Sequence, residues 1–162
     1  NEYFEAMVAC VFRHEGALDK YIGDALMAYW GAPVSDATDA DRAVAAALDM
    51  QRALAELNAR WAAAGRPVLA TGIGVHAGDA FVGNIGAPQR LEYTLIGDTV
   101  NVASRLCGLA AGGEVLVSDR VRAQARGMLA ATGRVTERPE LVPERQRGGA
   151  IAVYAVHEER PA

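Results

Sequence analysis

Two polar side chains four residues apart, Asn101 and Arg105, are candidates for chemistry in this sequence. They fall within residues 86–106, where a β-rich run ends at Gly97 and a helix is predicted to begin with Asp98 as its cap. Residues four apart share one face of a helix, so an amide and a guanidinium are presented together just after a strand. This pair suits a ligand that carries both hydroxyls and phosphates. The alternative is an ordinary solvated polar face, because polar pairs at this spacing are common.

A second pair of candidates, Lys20 and Asp24, lies in residues 18–30, which are predicted to form two strands around a tight Gly23-Asp24 turn. Lys20 is the only lysine among the 16 Lys and Arg residues of the chain. Lysine offers a compact point donor where arginine offers a planar fork, so the single lysine is a candidate for a specific contact. Chance retention of Lys20 and ordinary Gly-Asp turn chemistry at Asp24 are the alternatives.

The elements that must hold these side chains follow from hydrophobic spacing. An amphipathic helix with a poor start at Asn1 is predicted to end near Gly16, and a long helix over residues 39–64 has an apolar stripe. The other predicted elements are paired strands over 69–75 and 80–85, a helix whose Val102, Leu106 and Leu109 face a core, a strand over 114–117, a helix over 118–126 and two strands within 132–156. This order indicates one α+β domain over residues 1–162, with a mostly antiparallel sheet covered by helices.

Composition and motif spacing exclude several classes of function. The formal net charge of −4 argues against a nucleic-acid partner, which normally meets a basic face. No apolar run approaches the length of a membrane span, and the first residues lack a signal-peptide pattern. The glycines near residue 74 miss the dinucleotide fingerprint, and no P-loop motif is present. Two isolated cysteines favour a reducing, cytoplasmic setting.

Three stretches resemble the catalytic domain of class III nucleotide cyclases. They are DKYIGDALMAYWGAP at 19–33, GIGVHAGDAFVGNIG at 72–86 and EYTLIGDTVNVASRL at 92–106, and EVLVS at 114–118 also matches. The resemblance covers nearly the whole chain. It implies a ferredoxin-like α+β domain that works as a head-to-tail homodimer, with active sites at the interface. The implied reaction converts a nucleoside triphosphate to a 3′,5′-cyclic monophosphate and pyrophosphate.

The resemblance implies a role for each candidate residue. Lys20 and Thr94 match the two positions that read the purine, and Asn101 matches the residue that positions the ribose. Arg105 matches the residue that stabilises the phosphate in the transition state. Asp24 matches a ligand of the two divalent ions, Mg²⁺ or Mn²⁺, that the family uses as cofactors.

The purine-reading pair favours adenine on chemical grounds. Lys20 can donate to the unprotonated N1 of adenine, and Thr94 can accept from its N6 amine. Guanine carries N1–H and O6, so both contacts would be inverted. We therefore expect ATP as the substrate and an adenylate cyclase as the enzyme. The Lys and Thr pair also resembles the cyclase subgroup that bicarbonate stimulates, which implies a possible regulator.

The chain departs from the family pattern at both ends. The family holds its ions with two aspartates, and the first lies on a strand upstream of the first helix here. The chain is thus expected to be N-terminally truncated relative to the family, with half of the metal site and doubtful activity by itself. Members often show a Lys-Gly loop near the triphosphate, where this chain reads ERQRGG, so either Arg145 or Arg147 substitutes or neither does. Arg90 is a further candidate triphosphate ligand.

Two further functions stay open at this point. One is a guanylyl cyclase, and the other is a degenerate cyclase-like domain that binds nucleotide or regulates without turnover. The joint presence of Asp24, Lys20, Asn101 and Arg105 argues against degeneracy, which usually removes site residues.

Overall fold

The computed structural model describes residues 1–141 and 151–158 of the chain. Its helices are α1 (Glu2–Arg13), α2 (Asp39–Ala63), α3 (Asp98–Leu109), α4 (Asp119–Gln124) and α5 (Arg126–Thr132), with a short 3₁₀ turn at Pro139–Leu141. Its strands are β1 (Ala17–Ile22), β2 (Ala25–Tyr29), β3 (Ile73–Val75), β4 (Phe81–Ala87), β5 (Arg90–Ile96), β6 (Val115–Ser118), β7 (Gly133–Glu137) and β8 (Val153–Glu158). The mixture of antiparallel strands and covering helices confirms the expected α+β class.

The strands of the described residues form one four-stranded sheet and two hairpins. The sheet has the order β3-β6-β8-β7, in which only the β3–β6 pair is parallel. The hairpins are β1–β2 and β4–β5. The predicted pairing of 69–75 with 80–85 is therefore wrong. β4 pairs with β5 across a two-residue loop, since the shorter loop is closed at lower entropic cost, and β3 pairs with the distant β6.

The long helix α2 lies between α1 and the four-stranded sheet. Its predicted stripe is buried throughout, and comprises Ala47, Met50, Leu54, Leu57 and Trp61. From Met50 onward, the stripe packs with Met7 and Val11 of α1. Ala47, at its N-terminal end, lies in the same cluster as Val117 of β6. The expected poor start of α1 is wrong, because the Asn1 side chain caps the helix by accepting from the Tyr3 backbone N–H at 3.2 Å.

Helix α3 is held against the sheet by its apolar face. Val102 and Leu106 are buried with Leu116 of β6 and neighbouring residues of β8. A Cβ atom on Gly74 of β3 would lie 2.4 Å from the backbone nitrogen of Cys107, so only glycine allows this close approach. Leu109 is 38% exposed, which corrects its predicted place in the core, because α3 ends there after the buried turns.

The segment after β6 contains two helices where one was predicted. Ser118 caps α4, and the backbone leaves helical geometry at Ala125 before α5 begins. Val121, Ala125 and Leu129 nevertheless stay buried in one stripe, so both helices cover the sheet. The two predicted strands of the tail are confirmed as β7 and β8. Within residues 1–141 and 151–158, no helix combines the length and apolar composition needed to cross a bilayer.

Candidate active site

A β-bulge in β1 shapes the first part of the site. Leu18 pairs with Ala28 and Lys20 pairs with Met27, so Asp19 is an extra residue with no partner on β2. Neighbouring residues of a regular strand point to opposite faces. The bulge removes this alternation, and the Lys20 ammonium lies 3.7 Å from the Asp19 carboxylate in an ion pair.

Thr94 of β5 completes this group of residues. Its side chain is nearly buried, with the whole residue 5% exposed, and its hydroxyl donates to Asp19 Oδ2 at 2.8 Å. The same Oδ2 atom is the one that pairs with Lys20 Nζ. The two residues predicted to read a purine, 74 positions apart in the sequence, therefore meet around one carboxylate oxygen.

Asp19 is the residue that the sequence analysis missed as a member of the site. Its side chain is 1% exposed, and its second oxygen, Oδ1, has no hydrogen-bond partner. The side chain lies close enough to Tyr29 for its charge to act on that phenol: burial raises the pKa of Tyr29, and the charges of Tyr93 and Asp19 act in the same direction. The sequence signal that could have identified Asp19 as a site residue is its place directly before the only lysine of the chain.

Asp24 lies where the sequence predicted, at the tip of the β1–β2 hairpin. Ile22 pairs with Ala25, which leaves Gly23 and Asp24 as the two-residue turn. Gly23 has a φ of +60°, the positive value that a type II′ turn requires at its first central position. The Asp24 carboxylate is exposed. Across residues 1–141 and 151–158, no group of three or more His, Cys, Asp or Glu side chains could hold a metal ion.

Asn101 and Arg105 occupy the exposed face of α3, opposite the buried Val102 and Leu106. The helix follows β5 directly, so Thr94 and the α3 residues belong to one continuous strand-to-helix segment. The start of α3 is fixed by Thr99, whose hydroxyl donates to the Asp79 carbonyl oxygen.

One candidate triphosphate ligand, Arg90, lies at a distance from this group along β5. Arg90 is exposed and begins β5 at the turn of the β4–β5 hairpin, paired with Ala87. Four residues of strand, roughly 13 Å, separate it from Thr94. Arg145 and Arg147 lie outside the described residues.

Comparisons with known proteins identify the family of this chain. The family model described as the adenylate and guanylate cyclase catalytic domain matches residues 1–157. Adenylate cyclase 1 of Rhizobium meliloti (strain 1021) is 42% identical over 131 residues, which cover 80% of this chain and 20% of that protein. The match covers only about a fifth of the length of Adenylate cyclase 1, and the same holds for the mycobacterial relatives that the chain resembles.

Two solved structures have the same fold and different named substrates. The guanylyl cyclase Cya2 has a TM-score of 0.81 and 31% identity, over 96% of this chain and 77% of that chain. The adenylyl cyclase CyaB from P. aeruginosa has a TM-score of 0.81 and 27% identity, over 98% of this chain and 80% of that chain. The chain therefore belongs to the adenylate and guanylate cyclase catalytic domain family, and its structure is that of a class III nucleotide cyclase domain.

Proposed function

We propose that this domain is an adenylyl cyclase that converts ATP to 3′,5′-cyclic AMP and pyrophosphate, at sites formed between two copies of the chain. The observation that supports ATP is the grouping of the Lys20 ammonium and the Thr94 hydroxyl around one carboxylate oxygen. Both groups can then reach neighbouring atoms on one edge of a base. The name of the similar adenylate cyclase of Rhizobium meliloti agrees with this assignment.

Base selection follows from donors and acceptors. The Lys20 ammonium has donors and no acceptor, so it suits adenine N1 and opposes the N1–H of guanine. The lone pairs of the Thr94 hydroxyl suit the N6 amine. Thr94 is buried, so a mismatched base would leave polar groups without water, at a cost of about 1–3 kcal/mol for each lost hydrogen bond.

The α3 pair would act on the ribose and phosphates. Asn101 has both an amide donor and a carbonyl acceptor, which suits ribose hydroxyls. Arg105, one turn further along the same exposed face, would place a fixed positive donor where charge builds on the α-phosphate. The 3′ oxygen attacks the α-phosphorus in line, and pyrophosphate leaves.

Asp24 fits the divalent ions that the family uses. Mg²⁺ binds through one or two carboxylates together with substrate phosphates and water, and Mn²⁺ prefers the same oxygen ligands. An exposed carboxylate in a two-residue turn leaves room for such a shared set of ligands. Two bound ions would lower the pKa of the ribose 3′ hydroxyl and neutralise phosphate charge.

A homodimer is supported by apolar surface next to the site. Large apolar side chains of the β4–β5 hairpin are exposed, namely Phe81, Leu91, Tyr93 and Ile96. Exposed apolar patches of this kind mark interaction surfaces. Within one hairpin, Asp24 lies four residues from Lys20, roughly 13 Å along an extended chain. We therefore propose that the metal-binding Asp24 acts with the Lys20 and Arg105 of a second copy.

Complementation tests the shared site in the full-length protein. Asp24→Ala and Arg105→Ala should each be nearly inactive alone. In a mixed dimer, one site collects both changes and the other collects neither. Random exchange makes half of the dimers mixed, so activity should recover to about a quarter of the parent level. No recovery after verified subunit exchange would show that each chain builds its own site.

The experiment that tests the reaction itself is product formation from ATP and from GTP by the full-length protein with Mg²⁺ or Mn²⁺. We expect cyclic AMP, and kcat/KM for ATP at least tenfold above that for GTP, as two mismatched hydrogen bonds of about 1–3 kcal/mol each predict. Equal values, or a preference for GTP, would replace the proposal with a guanylyl cyclase. Nucleotide binding without either product would indicate a degenerate domain.

A further inference from the structure

The charge of Asp19 is more than its structural hydrogen bond to Thr94 requires. It is the extra residue of the β1 bulge, and its side chain is 1% exposed. Oδ2 contacts Thr94 and Lys20, whereas Oδ1 is buried with no partner. A buried carboxylate oxygen without a hydrogen bond is costly. Asparagine or serine could accept the same Thr94 hydrogen bond with less charge to bury.

The charge of Asp19 has a consequence for the Thr94 hydroxyl. A threonine hydroxyl has one hydrogen and two lone pairs, and it rotates to suit its partner. A carboxylate accepts and does not donate. The Thr94 hydroxyl oxygen lies 2.8 Å from Asp19 Oδ2, so its hydrogen is committed to the carboxylate and only its lone pairs remain for any other group.

We propose that Asp19 is a positioning residue that sets base specificity, by making the Thr94 hydroxyl an acceptor only and by holding the Lys20 ammonium beside it. This inference rests on the proposed nucleotide site. An acceptor at residue 94 matches the N6 amine of adenine and opposes the O6 of guanine. Without Asp19, the same hydroxyl could turn its hydrogen outward and donate to O6. Asp19 itself does not contact the nucleotide.

Asp19→Asn in the full-length protein tests the inference. The variant keeps the shape of the side chain and adds an amide donor, which allows the Thr94 hydroxyl to accept from residue 19 and donate to the base. We expect the ratio of kcat/KM for ATP to that for GTP to fall at least tenfold. Binding of 3′-deoxy-ATP and 3′-deoxy-GTP, which lack the attacking hydroxyl, should show the same fall without turnover.

Asp36→Asn is the matched control. Asp36 Oδ1 also accepts from a threonine hydroxyl, that of Thr38 at 2.7 Å, but this pair is exposed in the loop before α2. The same loss of a carboxylate acceptor there should leave the nucleotide ratio unchanged. A common effect of both variants would point to charge or stability and would contradict a role for Asp19 in specificity.

The outcomes separate this inference from the function on which it rests. If the parent prefers ATP and Asp19→Asn keeps that preference, or loses activity equally for both nucleotides, the inference is wrong and the proposed function stands. If the parent binds neither nucleotide, or prefers GTP, both fail. Should Asp19→Asn not fold, as judged by circular dichroism, Asp19→Ala also frees the Thr94 hydroxyl and removes the unpartnered oxygen. The ratio of kcat/KM for ATP to that for GTP should fall in Asp19→Ala as well, and an unchanged ratio would overturn the inference.

Discussion

The buried hydrogen bond between Thr94 and Asp19 predicts a measurable loss of stability in Thr94→Val. Valine has nearly the same shape as threonine, so the change removes the hydroxyl without leaving a cavity. Thr94 is 5% exposed, so water does not replace the donor, and Asp19 keeps only its 3.7 Å contact with Lys20.

The size of the loss follows from two opposing terms. A hydrogen bond to a charged group contributes about 1.5–3 kcal/mol. The added methyl group of valine returns about 0.8 kcal/mol by burial. We therefore expect the free energy of unfolding of Thr94→Val to fall by about 1–2 kcal/mol. In a domain of this size, each kcal/mol lowers the melting temperature by about 2–4 °C.

Urea unfolding followed by circular dichroism measures this change. The midpoint should decrease while the slope stays the same, because the surface exposed on unfolding is unchanged. Thr136→Val is the control, since Thr136 is exposed on β7 and surface changes usually stay within about 0.5 kcal/mol. A Thr94→Val protein as stable as the parent would refute the contribution of this hydrogen bond.

Three further predictions concern the metal, the transition state and pH. Asp24→Ala should abolish turnover in the full-length protein at saturating Mg²⁺ or Mn²⁺. The control Glu56→Ala, on the exposed face of α2, should stay active, and Asp24→Ala activity within tenfold of the parent would reject Asp24 as a metal ligand. Arg105→Ala should lower kcat by about 10²–10³ with less change in KM, and a rise in KM alone would make it a ground-state binding residue. Burial lowers the pKa of His76, which contacts the Ser118 hydroxyl at 2.8 Å. As pH falls through about 6.5, the His76 imidazole takes up a proton in the unfolded chain before it does so in the folded state. The stability that the neutral, buried His76 gives is therefore complete above that pH and is lost as pH falls. His76→Gln should flatten the decrease in unfolding free energy between pH 7.5 and 5.5, and an unchanged slope would contradict this role.

Local patterns were sufficient to place several site residues. The four-residue spacing of Asn101 and Arg105 correctly predicted that both lie on the exposed face of one helix, because helical periodicity is a property of neighbouring residues. The Gly23-Asp24 turn was also confirmed, since a two-residue hairpin loop has its own sequence signal.

Features that depend on distant pairing were not predictable in the same way. The role of Asp19 arises from a bulge, which exists only through the register of β1 against β2 and the approach of Thr94 from β5. The partner of β3 depends on β6, some forty residues away, and no local pattern indicates it. Leu109 continued the apolar spacing of α3 and is nevertheless exposed, because the helix ends at this residue.

The close approach of α3 to Gly74 has a mechanical consequence. The strand backbone already occupies the space beside Cys107, so the helix can neither tilt toward the sheet nor withdraw without opening a void. Asn101 and Arg105 are thus attached to a stiff body formed by α3 and the four-stranded sheet. In the proposed dimer, each copy would therefore present Asn101 and Arg105 at a position fixed relative to its own sheet.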